Sequence, residues 1–420
     1  MLPNHKLDVA NAIACHQSLL ENRLVTLTLL IDIDDTLLGN KMENFIPAYI
    51  QLLGQHLRPY ADPEKVGQVL TTATGQMFYN DQPDRTLKET FDTYFYAPLV
   101  ITEDQVRGEI DHFYDEIFPE IQSVTEFRPS AAKLMDQAVK RGWKIAIATN
   151  PFFPLKAILH RLSWAGVPAE KYPYMVVPSY ETFHFGKPNP AFLAELLGRI
   201  GWPLGPLVMI GNDPENDIRA AQLIGLATFW VSNGLSYPND MQEPCASGSL
   251  DDFLYWIDKE PEGNLLPDYS SKSAIIAIMQ GVPPALLSMT NNLTEEVWKQ
   301  RPSTKDWSLT EIACHLRDVE KEINQPRLTK ITREKRPFVP GVDSDIWANE
   351  RDYQSQDGAA ALQSFVETRK QTLEILTDLS EDDWKKPAQH AIFGPTNLTE
   401  IANIMAGHDR LHIRQAYCTL

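Results

Sequence analysis

Apolar positions along this chain fall into two textures. Through the first two-thirds, short apolar runs alternate with longer amphipathic stretches: LVTLTLLI (24–31), WKIAIAT (143–149), YMVVP (174–178), PLVMIG (206–211) and ATFWV (227–231). Short strands separated by helical segments predict an α/β fold with a doubly wound parallel sheet. Between the first two runs lie roughly a hundred residues, far more than a βα connection needs. KMENFIPAYIQLLGQHL, EKVGQVLTTATGQMF and EDQVRGEIDHFYDEIF in that interval carry helical periodicity. They predict a helical subdomain inserted at about residues 40–125.

After residue 231 the texture changes. NGLSYPNDMQEPCASGS reads as a polar, turn-rich return, LDDFLYWIDK as a short helix, and residues 259–273 as a linker rich in Pro, Gly, Ser and acids. Residues 274–420 hold several helical patterns and no convincing strand run, which predicts an all-α four-helix bundle. The expected organisation is therefore an α/β domain over 1–258, a linker, and a bundle over 274–420.

With 420 residues, more than one domain is expected. The formal charge of −18 argues against a nucleic-acid partner, because phosphate backbones need a basic surface. Four cysteines (Cys15, Cys245, Cys314, Cys418) stand far apart without C-x-x-C spacing, as expected for reduced thiols in a cytoplasm. The 24–31 run is too short to span a bilayer, so no membrane association is expected.

In an open α/β sheet, ligands bind beyond the carboxyl ends of the strands. The residues gathered there are Asp32, Asp34, Asp35 and Thr36; Thr149 and Asn150; Lys187 of HFGKPNP; and Asn212, Asp213, Asn216 and Asp217 of GNDPENDI. Several carboxylates in one cleft call for a cation, and an all-oxygen set suits Mg²⁺. With Lys187, the Thr149 hydroxyl, and Asn150 with nearby backbone N–H groups, such a site would cradle a phosphate. Of two aspartates two positions apart, one can attack phosphorus while the other moves the proton.

DIDDTLL, Thr149 after a strand, GKPNP and GNDPENDI, in this order, resemble the haloacid dehalogenase-like hydrolase superfamily, and the 40–125 interval resembles its helical cap. The resemblance covers about 24–258. It implies Asp32 as the nucleophile that forms an aspartyl-phosphate, Asp34 as general acid/base, and Thr149 and Lys187 on the phosphate. It also implies Mg²⁺ on Asp32, the Asp34 carbonyl and Asp213, with Asp217 behind them. The usual Gly-Asp is here Gly211-Asn212. The D-x-x-N-D register selects Asp213, whereas a register one residue earlier would place Asn212 on the metal. Asp35 is expected to be a turn residue. The implied activity is a phosphatase acting on a small phosphorylated metabolite.

In GHDRLHIRQ, His408 and His412 lie at i and i+4, and His315 sits on another helical pattern. Three imidazoles from two helices would suit Zn²⁺ or Ni²⁺, with Asp318 and Asp409 placed by spacing to orient the rings. Trp298, Trp307 and Trp384 are expected as packing anchors. The stretches from LTEEVW to LRDVE and from LSEDDW to LHIRQ resemble the DinB-like helical bundle superfamily, over about 274–420. That resemblance implies a metal triad of His315, His408 and His412. Some members are thiol-dependent transferases, so the alternatives are a working thiol transferase in the bundle, or one domain acting as a ligand sensor.

Overall fold

The computed structural model describes residues 26–420. Cys15 and the start of the first apolar run lie outside the described residues. Five parallel strands, β1 (Thr28–Ile31), β2 (Lys144–Ile147), β3 (Leu207–Gly211), β4 (Ala227–Val231) and β5 (Ala246–Gly248), form a sheet of order β2-β1-β3-β4-β5. Side chains alternate across it, as a two-residue period requires. Leu29, Ile31, Val208 and Ile210 enter one buried cluster, while Leu30 and Met209 enter the other.

Two strand expectations change. The 174–178 run forms no full strand: it lies extended beside β2, with Met175 N–H donating to the Ile145 carbonyl (2.8 Å) and Ile147 N–H to the Val176 carbonyl (3.1 Å). The fifth strand comes instead from the supposed turn-rich return. Ala246–Gly248 is short, polar and half-exposed, so it carries no apolar alternation to mark it.

Helices α1 (Met42–His56), α2 (Pro63–Phe78), α3 (Leu87–Leu99) and α4 (Glu103–His112) make the inserted cap. Asp62 caps α2 just before Pro63, and Thr86 and Thr102 form capping boxes with Glu89 and Gln105. The cap sits down on the α/β domain. Leu87 N–H donates to the Phe183 carbonyl and Lys88 N–H to the Tyr180 carbonyl, both at 2.8 Å. The helices flanking the sheet are α5 (Pro129–Lys140), α6 (Leu155–Trp164), α7 (Pro190–Arg199) and α8 (Leu250–Ile257).

The bundle consists of α9 (Lys272–Thr290), α10 (Leu309–Val319), α11 (Gly358–Thr377) and α12 (Leu398–Thr419). It also carries a small sheet that its sequence did not announce, from Phe338–Val339, Pro387–His390 and Gly394–Asn397. Helix α9 is long and apolar enough to cross a membrane, yet two-thirds of it is buried in the protein. Its partners explain this: α7 on one side, α11 and α12 on the other. Gly281 lets α9 close on α7, since a Cβ there would stand 2.6 Å from the Ala194 Cβ and 2.6 Å from the Glu195 nitrogen. Leu30, Phe192, Ile275, Ile278 and Phe365 consequently share one buried cluster that crosses the domain boundary. The 259–273 segment is packed, with Leu265 and Tyr269 buried and Asp268 N–H bonded to the Gly225 carbonyl at 2.9 Å.

Candidate active site and metal centre

Strand β1 ends at Ile31, and the turn after it holds Asp32, Asp34 and Asp35 at the carboxyl edge of the sheet. Lys187 reaches the same point from the loop before α7. Its Nζ lies 2.8 Å from Asp32 Oδ1 and 2.5 Å from Asp217 Oδ1, and all three side chains are buried. Burial alone would depress the Lys187 ammonium, but Asp217 and Asp32 more than offset it and hold it protonated. Burial pushes the Asp32 carboxyl up to about 7; Lys187 opposes this, while Asp217 and Asp34 add to it. Asp217 is raised for the same first reason. One buried lysine thus leaves this corner short of positive charge.

Thr149 is buried and its Oγ1 has no hydrogen-bond partner. Asn150 uses its Oδ1 to accept from the Lys187 backbone N–H (2.7 Å), which sets the lysine loop against the end of β2. Both borders on the cavity that also contains Asp32, Asp34 and Lys187.

At the fourth motif, Asp213 works as a helix cap. Oδ1 accepts from the Glu215 and Asn216 N–H groups at 2.9 Å, and Oδ2 from Asn216 Nδ2 at 3.0 Å. Asn212 points its Oδ1 toward the Thr36 hydroxyl, 3.4 Å away. Both side chains line the cavity. Asp35 does more than turn the chain. At φ 53° it bonds the Asn40 N–H and pairs with Arg128, which also donates to the Asp35 carbonyl. That links the chain entering the cap to the chain leaving it.

Sequence reasoning missed Arg161. It comes from α6, is 1% exposed, and donates from Nη1 to Asp34 Oδ2 at 2.5 Å. Asn40 Nδ2 holds the other Asp34 oxygen at 2.7 Å. The Arg161 Nε and Nη2 are buried without a partner, and the guanidinium lies 4.9 Å from the Phe153 ring centre. No motif spacing marks this arginine; only the fold brings α6 beneath the cap.

In the bundle, α10 and α12 bring the three histidines together. His408 Nε2 lies 2.9 Å from His315 Nε2 and 3.0 Å from His412 Nε2. The three form the group of ring nitrogens able to share one metal among the described residues. Burial and the facing His412 push His315 down to about 2, and His408 lies well below its ordinary value for the same reasons. Neutral imidazoles are what a metal needs.

The aspartates expected to orient these rings do other work. Asp318 pairs with Arg317 and Arg351 and accepts from Tyr353, while Asp409 turns away to Arg369. The ring partner found is Gln415, whose Oε1 is 2.6 Å from His412 Nδ1. Trp298 and Trp384 are buried anchors, but Trp307 stacks on His412, with ring centres 5.8 Å apart and planes 4° off parallel.

Residues 279–416 match the family model of the DinB superfamily, and residues 184–253 match a HAD-hydrolase-like model. Among curated proteins, the chain is 25% identical over 156 residues to a phosphoglycolate phosphatase of Aliivibrio fischeri, covering 36% of this chain and 63% of that protein. It is 33% identical over 130 residues to a phosphoglycolate phosphatase of Rhodospirillum rubrum, covering 30% and 49%. A phosphoserine phosphatase of Thermus thermophilus is 30% identical over 107 residues, covering 26% and 41%. The chain thus spans between 41% and 63% of these relatives' own length. Among solved structures, a HAD phosphatase from Thermococcus onnurineus aligns over 56% of this chain and 98% of its own at 18% identity and TM-score 0.38. YfiT from Bacillus subtilis, a four-helix bundle, aligns over 36% and 87% at 18% identity and TM-score 0.33.

Proposed function

We propose that this chain, whose two parts belong to the haloacid dehalogenase-like hydrolase superfamily and the DinB superfamily, is a Mg²⁺-dependent phosphatase of a small phosphomonoester. The observation that carries the reading is the buried Lys187 bridging Asp32 and Asp217 beside the unpartnered Thr149 hydroxyl. A phosphate oxygen would satisfy that hydroxyl, and the lysine would face the transferred group.

The residues fit a divalent cation. The donors on offer are all oxygen, and burial strains the Asp32 charge in a way one lysine does not relieve. Asp32, the Asp34 carbonyl and Asp213 would hold the ion, with Asp217 behind them. Asp213 would keep its capping bonds only by sharing its oxygens, which leaves Asn212 as the neighbouring donor. When bound, the ion would offset phosphate charge close to Asp32.

The chain's own groups then carry the steps. The Asp32 carboxylate attacks phosphorus, the bond to the leaving oxygen breaks, and Asp34 supplies that oxygen with a proton. Asp34 next takes a proton from the water that attacks the aspartyl-phosphate, which frees phosphate and restores Asp32. The closed cap would keep bulk water out during the first transfer.

For the bundle, the converging histidines support a second reading, a Zn²⁺ or Ni²⁺ site on His315, His408 and His412. A thiol-transferase role, or a sensing role for one domain, rests on this triad alone. The deciding experiment is phosphate release from a panel of phosphomonoesters by the full chain, with Mg²⁺ and with chelator. Release that needs Mg²⁺ supports the reading, and no release from any ester overturns it.

A further inference from the structure

The cavity over Asp32 has a volume of about 410 Å³, within the roughly 300–1,000 Å³ of sites that enclose organic ligands and far more than a phosphate fills. Its floor is acidic, but its upper wall is apolar and belongs mostly to the cap: Ile46, Tyr49, Leu70, Phe95 and Ile110, with Phe153 from the core side. The hydroxyls of Tyr49 and of a further lining residue, Tyr114, bond each other at 2.7 Å, and both residues are buried and neutral. The other polar groups on the cap helices lining the cavity are the neutral hydroxyls of Thr71, Thr74 and Tyr96.

The cations among the lining residues are Lys187 and Arg161, and each is already engaged by a carboxylate. Asp32, Asp34, Asp35, Asp213 and Asp217 line the same floor. A second anionic group arriving with the phosphate would enter a buried space already rich in acids, with no free cation among the described residues of the cap wall to meet it. The Nε and Nη2 of Arg161 have no partner but are themselves buried, and the charge of the guanidinium is taken up by Asp34.

We propose that the phosphomonoester accepted here carries a bulky apolar body and no second anionic group, and that the cap wall selects it by burial. This rests on the phosphatase reading above. It separates the site from one shaped for phosphoglycolate or phosphoserine, whose carboxylates need a cation.

The test is kcat/KM of the full chain with Mg²⁺ on ethyl, butyl and hexyl phosphate, whose leaving groups are alike, and on 2-phosphoglycolate. Expected is a rise of up to about fourfold per added methylene until the cavity is filled, with phosphoglycolate poorer than butyl phosphate. Ile46→Ala should lower the hexyl value several-fold more than it lowers the ethyl value, so that the series becomes less steep. Ile46→Lys should flatten the series and improve phosphoglycolate. A flat wild-type series, or phosphoglycolate above hexyl phosphate, overturns the proposal while leaving the phosphatase intact. Phosphate release from none of the four esters overturns this inference, and the phosphatase reading falls with it only when the wider panel of phosphomonoesters is also left intact.

Discussion

Arg161 and Asp34 lie 127 positions apart in sequence, and their side chains meet at 2.5 Å under the cap. The guanidinium is buried and the carboxylate is held from its other oxygen by Asn40, so Asp34 has little freedom to turn. Arg161→Lys keeps a charge but loses the planar fork. We expect kcat to fall by about ten- to a hundredfold through misplacement of Asp34, with KM changed less. Steady-state kinetics alongside circular dichroism checks this, and an unchanged kcat would show that the pair has no part in positioning.

Asp32→Asn should reduce phosphate release by about three orders of magnitude or more, because an amide cannot form the acyl-phosphate. Thr149→Val removes the buried hydroxyl that has no partner in the protein. It should raise KM or lower kcat without loss of stability, since no internal hydrogen bond disappears. A thermal melt of the variant decides the second half of this prediction.

His408 stands between His315 and His412, about 3 Å from each. His408→Ala should strip the bundle of transition metal by elemental analysis and leave Mg²⁺-dependent phosphate release in place. A tight chelator should lower the melting temperature of the wild type and not of the variant, because a ligand bound only to the native state adds stability by mass action. Full metal loading in the variant would exclude the triad.

Arg369 is buried between two buried acids, with Glu320 at 2.8 Å and Asp409 at 2.5 Å. Arg369→Met leaves both without a counter-charge, which should cost about 3–5 kcal/mol at neutral pH. Burial would raise Glu320, but Arg369 and its hydrogen bonds hold it below its ordinary value. In the wild type the Glu320 contribution is therefore present above about pH 4.5 and lost as pH falls further. At Asp409, by contrast, burial outweighs Arg369 and pushes the carboxyl up to about 6, so its cost at neutral pH is relieved on acidification. In the variant the Glu320 carboxyl protonates on acidification and its penalty is relieved. The stability gap between the two proteins should narrow from pH 7 toward pH 4, as read from urea titrations.

Gly281 admits no side chain without moving α7, since a Cβ there would approach backbone atoms of Ala191 and Glu195. Gly281→Val should destabilise the protein by about 1–3 kcal/mol through overpacking. It should also split a shared unfolding transition into two, visible by calorimetry.

What the sequence revealed and what it hid divide along physical lines. Residues that follow apolar runs at strand ends were legible because strand polarity and sheet topology gather them: Asp32, Thr149 and Asp217 line one cavity, which Lys187 of the GKPNP loop joins. The helical period exposed the cap and the bundle for the same reason. Arg161 stayed hidden because its position on α6 acquires meaning only when the cap closes over it. Ala246–Gly248 and the bundle's small sheet were invisible because short edge strands with polar residues lack a two-residue period. The roles given to Asp318 and Asp409 failed because spacing along a helix fixes a face, and neither carboxylate turned toward a histidine.

The α7–α9 contact has one more implication, for anyone wishing to study either half alone. Cutting at 259–273 would leave Ala194 and Leu197 on one fragment, and Ile275, Ile278 and Val282 on the other, stripped of the neighbours that keep them dry. Each fragment would present a greasy stripe to solvent and tend to clump. The helix that begins just after the Lys187 loop is also the seam of the molecule, so severing the halves would disturb at its root the loop that carries this buried lysine.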